Sequence, residues 1–257
     1  MLAFELPLFT QILCNKHLRL VRNDPTYNLD PSVCNAIFTS FGPSTVARYK
    51  KLNSSDPDRF FIPIILSLAD RTYGWLAVIT ARKVLPIWDQ FGIEEKGDED
   101  YSFDPTIMLK MAEDFLLGLV EATEVKRDLS NRFYNGVIGL ESRTKKQGWL
   151  ANGAAYWALA AIFQGGDYPK AYQFVMEAVQ AYSIEDLNEP GLWWEKTRET
   201  ERKKYIQESA QEEIQNNNFN NYVPITTDIK KQLDFWEWWL TEAIPQAWDL
   251  AHQTKNK

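Results

Sequence analysis

The chain has 257 residues, of which 45% are hydrophobic, 25% charged and 14% aromatic, with ten tryptophans in all. That composition excludes a disordered chain and leaves enough apolar surface for a substantial core. A formal net charge of −7 leaves no excess of Lys and Arg for a nucleic acid backbone, so nucleic acid is excluded as a partner; it suits a basic protein, or serves solubility alone.

Cys14 and Cys34 are the only cysteines, too few for a disulfide framework and in keeping with packing residues of a reducing, cytoplasmic setting. The opening stretch MLAFELPLFTQILCNK lacks a basic start and carries Glu5 and Pro7, so it is not expected to act as a secretory signal. No run of roughly 18 apolar residues occurs, so no membrane contact is expected.

In chain order, a short apolar segment from Leu6 to Leu20 gives way to Asp24-Pro25, Asp30-Pro31 and Gly42-Pro43. These pairs forbid one long helix and predict short helices and loops over residues 1–55, covering one end of the molecule. Ser44 or Thr45 is placed to cap a helix through Lys51, Asp56-Pro57 to start another, and Phe60 to Ala69 is apolar enough to be buried. From Tyr73 the spacing of Leu76, Ala77, Thr80, Val84, Trp88 and Phe91 predicts an amphipathic helix, with Pro86 kinking it near Arg82 and Lys83 and Gly92 ending it.

Glu94, Glu95, Asp98, Glu99 and Asp100 then form an exposed acidic loop. Asp104 caps the next helix, Pro105 takes its first position, and Met108, Met111, Ala112, Phe115 and Leu119 are its predicted buried stripe. A further helix is expected over 124–141. Beyond Gly148, Ala151, Ala154, Ala155, Ala158 and Ala161 give the next helix a face almost without side chains, which lets a neighbour approach closely and predicts a central position.

Gly165-Gly166 breaks the chain, and Tyr172, Val175, Met176, Val179 and Tyr182 mark another buried stripe. After Pro190-Gly191 the segment 195–213 is dense in charge and reads as an exposed helix, followed by a turn-rich loop at 216–222. The last helix, opened by Thr226, Thr227 or Asp228, sets Ile229, Leu233, Trp236, Leu240, Ala243, Ala247 and Leu250 on one side. No repeat of fixed period emerges. The expected architecture is a single all-α domain: an antiparallel helical bundle over 56–185 with a C-terminal helical hairpin, 190–257, docked on it.

Chemistry-bearing motifs are sparse. The two histidines, His17 and His252, have polar neighbours and read as surface residues. Cys14 precedes His17 by one helical turn, a spacing that a nucleophile and its base could use. Gly165-Gly166 lacks the lysine of a phosphate loop, and the carboxylates at Glu113-Asp114 and Glu121 to Glu124 lack the Glu-x-x-His pairs of a di-iron bundle. No catalytic, cofactor or metal residue is therefore expected. Two features suit a protein partner: the acidic loop, which could steer toward a basic surface or be merely solvated, and Trp193, Trp194, Trp238 and Trp239, which could anchor an interface or fill the core.

Two segments carry a family likeness. ARKVLPIWDQF, Ala81 to Phe91, joins a small residue and basic residues to Val-Leu-Pro and an aromatic; DPTIMLKMAEDFLLG, Asp104 to Gly118, is a proline-opened helix with a late aromatic and a closing glycine. With the alanine-rich helix downstream, they resemble the predicted all-α immunity proteins of bacterial polymorphic toxin systems, the class numbered five, over about residues 70–163. The resemblance implies a helical antitoxin that binds and neutralises a cognate toxin in a protein–protein complex, and it brings no catalytic residue with it. A helical scaffold or adaptor, or a helical enzyme with a site too scattered to read, are the alternatives; oligomeric state is left open.

Overall fold

The computed structural model describes residues 4–24, 27–45, 66–91, 104–121, 125, 146–164, 172–184 and 227–254. Of these, 82% are helical and none lies in a strand, so the chain is all-α as its periodicities imply. The elements are α1 (Leu8–Asn23), α2 (Pro31–Ser40), α3 (Leu68–Phe91), α4 (Pro105–Leu116), α5 (Lys146–Gln164), α6 (Gln173–Ser183), α7 (Ile229–Trp238), a π-turn (Trp239–Ala243) and α8 (Ile244–Gln253). Of the helix expected over 124–141 only Val125 is described, helical and buried; the rest of it, the helix expected at 195–213, the loop 216–222, and the helix through Lys51, the start at Asp56-Pro57 and most of the apolar run from Phe60 lie outside the described residues.

α3 is the hub. It packs most extensively on α5, and also meets α8, α6, α4, the π-turn and α2. The alanine face of α5 explains the first of these contacts: Ala151, Ala154, Ala155, Ala158 and Ala161 are all buried, so no long side chain holds the two helices apart. Gly74 of α3 continues the close fit, since a Cβ there would meet Leu116 Cδ2 at 2.8 Å and Ile162 Cγ1 at 3.3 Å. From Ala69 to Val84, α3 is accordingly buried on more than the predicted stripe, with Trp75, Val78 and Ala81 buried as well as Leu76 and Val84.

α3 starts earlier than the spacing from Tyr73 suggested, because Ser67 and Asp70 form a capping box. The Asp70 N–H donates to Ser67 Oγ (3.1 Å), and the Ser67 N–H donates back to Asp70 Oδ2 (3.0 Å). Asp70 is 4% exposed and also accepts from the Thr45 N–H (2.9 Å), the hydroxyls of Thr45 (2.6 Å) and Ser67 (2.7 Å), and the Ser44 hydroxyl. One carboxylate thus starts α3 and fastens residues 44–45 beside it. The helix runs through Pro86 to Phe91.

α4 begins as predicted, with Asp104 accepting from the Thr106 N–H at 2.8 Å and Pro105 in the first turn. Its end corrects the predicted stripe. Gly118 adopts φ +72°; its N–H donates to Phe115 O (2.9 Å) and that of Leu119 to Asp114 O (2.7 Å), the paired bonds of a Schellman cap. The chain therefore leaves the helix before Leu119, which is 62% exposed, and Leu109 and Leu116 join the core with Met108 and Ala112.

The N-terminal region contributes two helices, α1 and α2, to the packed molecule. α1 has 16 residues and buries Thr10, Cys14, His17 and Val21, and α2 is capped by Asp30 ahead of Pro31. The Thr10 hydroxyl meets Ser40 Oγ at 2.8 Å, fastening one helix to the other. The final helical run is also integral to the core. Trp236 and Trp239 are wholly enclosed, and their indole N–H groups donate to Asn28 Oδ1 (2.8 Å) and Thr80 Oγ1 (3.0 Å). Asp228 is the residue that caps this run, by accepting from the Lys231 N–H (3.1 Å). Ile229 is 47% exposed, since at the first position it precedes the packed face. Pro245 has no N–H to give, and the wider π-turn just before it carries the chain past the missing bond, with the Ile244 N–H reaching Trp239 O.

Candidate functional site

Three places combine chemistry with position. The first is the inner face of α1. Cys14 and His17 both point into the core, and His17, read from its neighbours as a surface residue, is only 6% exposed. The reason is Tyr27, whose hydroxyl lies 2.6 Å from His17 Nδ1 and whose ring covers the imidazole. Burial, helped by Lys16 and opposed by Asp30, holds the imidazole below its ordinary pKa. Burial also pushes the Cys14 thiol up to about 12 and raises Cys34. A thiol in that state is protonated at neutral pH and is not an activated nucleophile. His252 is half-buried, donating from Nδ1 to Trp248 O at 2.9 Å and stacked on Phe4 at 4.3 Å.

The second place is the α5–α6 interface, which holds a buried carboxylate that the stripe reading missed. Glu177 is 7% exposed; its Oε1 accepts from Trp157 Nε1 (2.8 Å) and Gln173 Nε2 (2.9 Å). Gly153 makes the room. A Cβ at that position would lie 1.9 Å from Glu177 Oε2. Asn152 is buried, and so is Gln147, which donates to Ile184 O at 2.6 Å. A glycine set among alanines was the available signal, because it marks a close approach.

The third place is the solvent side. The Glu113 and Asp114 carboxylates are engaged in ion pairs: Arg82 grips Glu113 with two bonds, Nε to Oε1 at 2.5 Å and Nη2 to Oε2 at 2.7 Å, and Lys110 holds Asp114 at 2.5 Å. The outer face of α1 carries Leu8, Phe9, Ile12 and Leu20 in the open. Among the described residues no group of three or more His, Cys, Asp or Glu side chains could hold a metal ion, and no helix is long and apolar enough to cross a membrane.

Of the residues singled out for partner binding, Glu94, Glu95, Asp98, Glu99, Asp100, Trp193 and Trp194 lie outside the described residues. Trp239 belongs to the core, where a partner would not reach it. Trp238 is half-buried, with the Lys83 ammonium 4.8 Å from its ring centroid and 5.7 Å from that of Tyr182, so this tryptophan braces α7 to α3 and α6. The two motif segments are brought together: α3 and α4 pack side by side, and the Arg82–Glu113 clamp runs from one segment to the other. Comparison with protein-family models, curated proteins and solved structures finds no match to this chain.

Proposed function

We propose that this chain is an immunity protein: it binds a cognate bacterial toxin in the cytoplasm and occludes the toxin's active site or substrate groove. The observation that carries the reading is the joining of ARKVLPIWDQF and DPTIMLKMAEDFLLG, the segments that resemble that family, across one helix–helix contact tied by Arg82 and Glu113. The net charge of −7 adds a physical motive, because an acidic inhibitor is drawn to a basic, nuclease-like toxin at long range. The engagement of Cys14 and His17 in packing fits a molecule that works by surface.

The acidic run Glu94, Glu95, Asp98, Glu99 and Asp100 is the proposed steering surface. Reversing all five charges should slow association with the toxin and flatten its dependence on salt. An unchanged rate and salt slope would move the contact elsewhere on the molecule.

A further inference from the structure

Nine large hydrophobic residues are exposed among the described residues, and four of them, Leu8, Phe9, Ile12 and Leu20, stand on α1, a concentration that marks a contact surface. At about 100° per residue these four share one strip of the helix, about 120° wide, with Lys16 and Arg19. The strip faces away from the buried side formed by Thr10, Cys14, His17 and Val21. Along the axis it divides: Leu8 (72% exposed) and Phe9 (59%) lead into Ile12 at the N-terminal end, while Lys16 and Arg19 flank Leu20 toward the C-terminal end. Arg22, at the margin, is paired with Glu237 of α7, whereas Lys16 and Arg19 have no acidic partner among the described residues. No carboxylate lies on α1 itself; Glu5 precedes the helix and Asp24 follows it.

Shape and charge together narrow what can cover this strip. The open depression along it, about 540 Å³, is lined by Ile12, Asn15, Lys16, Arg19 and Leu20, so among the described residues the whole lining belongs to α1 and no second element raises a wall. An inserted protein side chain would find no socket there, but a broad, deformable surface meets the whole strip at once. The two cations require that surface to be negative, and the apolar end requires it to accept hydrocarbon. We infer that α1 lies on an anionic phospholipid bilayer, with Leu8, Phe9 and Ile12 below the headgroups and Lys16 and Arg19 at the phosphates, their stems lying against Leu20. The net charge of −7 repels other faces of the molecule from such a surface and leaves this strip as the one that approaches. The expectation of no membrane contact rested on the lack of a spanning run, and a helix lying in the interface needs only one apolar face. This contact is independent of the toxin reading.

Co-sedimentation of the full chain with phosphatidylcholine vesicles, with and without phosphatidylglycerol, tests it. The expected result is binding that needs phosphatidylglycerol and weakens as salt is raised. Affinity should fall about tenfold or more with Phe9→Glu, and likewise with Lys16→Glu and Arg19→Glu combined. Helicity by circular dichroism should be unchanged in each, because these side chains are exposed. Ile107→Glu, on an exposed apolar residue of α4, should bind as the wild type does. No binding to either vesicle would overturn the inference, as would equal binding to both or indifference to the α1 substitutions. So would a chain that ignores the vesicles but binds soluble poly-L-glutamate through Lys16 and Arg19, since that result gives the strip to an acidic protein.

Discussion

Gly153 and Glu177 show how one missing side chain admits one buried acidic side chain. Alanine normally improves a helix over glycine by about 1 kcal/mol, but here the new methyl would land on Glu177 Oε2 and force the carboxylate off Trp157 and Gln173. Gly153→Ala should therefore destabilise the fold by about 2 kcal/mol or more in urea unfolding, with Glu177→Ala in the same chain relieving part of the loss. A gain in stability would mean that the carboxylate is not held as described. His17 gives a pH signature. Its imidazole titrates below the ordinary 6.5, so the unfolded chain binds the proton first and the contribution of His17, full above pH 6.5, drains away as pH falls through the lowered folded value. Unfolding midpoints of the wild type and His17→Gln should differ more at pH 7.5 than at pH 5; a constant difference would place the imidazole in solvent. For Cys14 the sign is reversed: the neutral thiol is favoured in the fold, so stability is held below its ordinary value of 9 and lost as pH climbs toward about 12. Native chain should resist alkylation at pH 8 and react once unfolded.

At the scale of elements, the signals that were legible were those with local physics. Asp104-Pro105 and Asp30-Pro31 mark helix starts because a carboxylate beside a proline satisfies the first turn without any tertiary help, and the alanines of α5 declare a close neighbour. Two features were not legible, because each depends on what arrives from elsewhere in the chain: Tyr27 covers His17, and α3 is enclosed by several other helices. The Schellman turn at Gly118, which drops Leu119 out of its stripe, is local and was readable from the glycine itself. The capping box at Ser67 and Asp70 was readable as Ser-x-x-Asp but lay inside a segment read only as apolar. Asp70→Ala should cost about 3 kcal/mol in equilibrium unfolding, because it strands several buried donors at once. A loss under about 0.5 kcal/mol, the size of an ordinary surface change, would show that the box does not hold α3. The Arg82–Glu113 clamp is half-exposed and should contribute no more than about 1 kcal/mol in a double-mutant cycle, so its interest lies in aligning the two motif segments.

At the scale of the whole molecule, the described helices build one core around α3, and the N- and C-terminal ends close on each other. The Phe4 N–H donates to Asp249 at 2.8 Å, Trp248 Nε1 donates to Glu5 O at 3.0 Å, and Arg71 holds Ala251 O at 3.1 Å. The acidic run and Trp193-Trp194 lie outside the described residues, and the tryptophans that are described work in the core and its margins. The proposal is that this molecule silences a toxin by covering it. The most direct measurement begins with tagged chain recovered from its native host, and with the identification of the protein bound to it. That partner is then expressed in a test strain, alone and together with this chain. The account predicts that the partner alone arrests growth and that co-expression restores it through a stable stoichiometric complex. A partner that is harmless by itself, or growth arrest that this chain does not relieve, would contradict it.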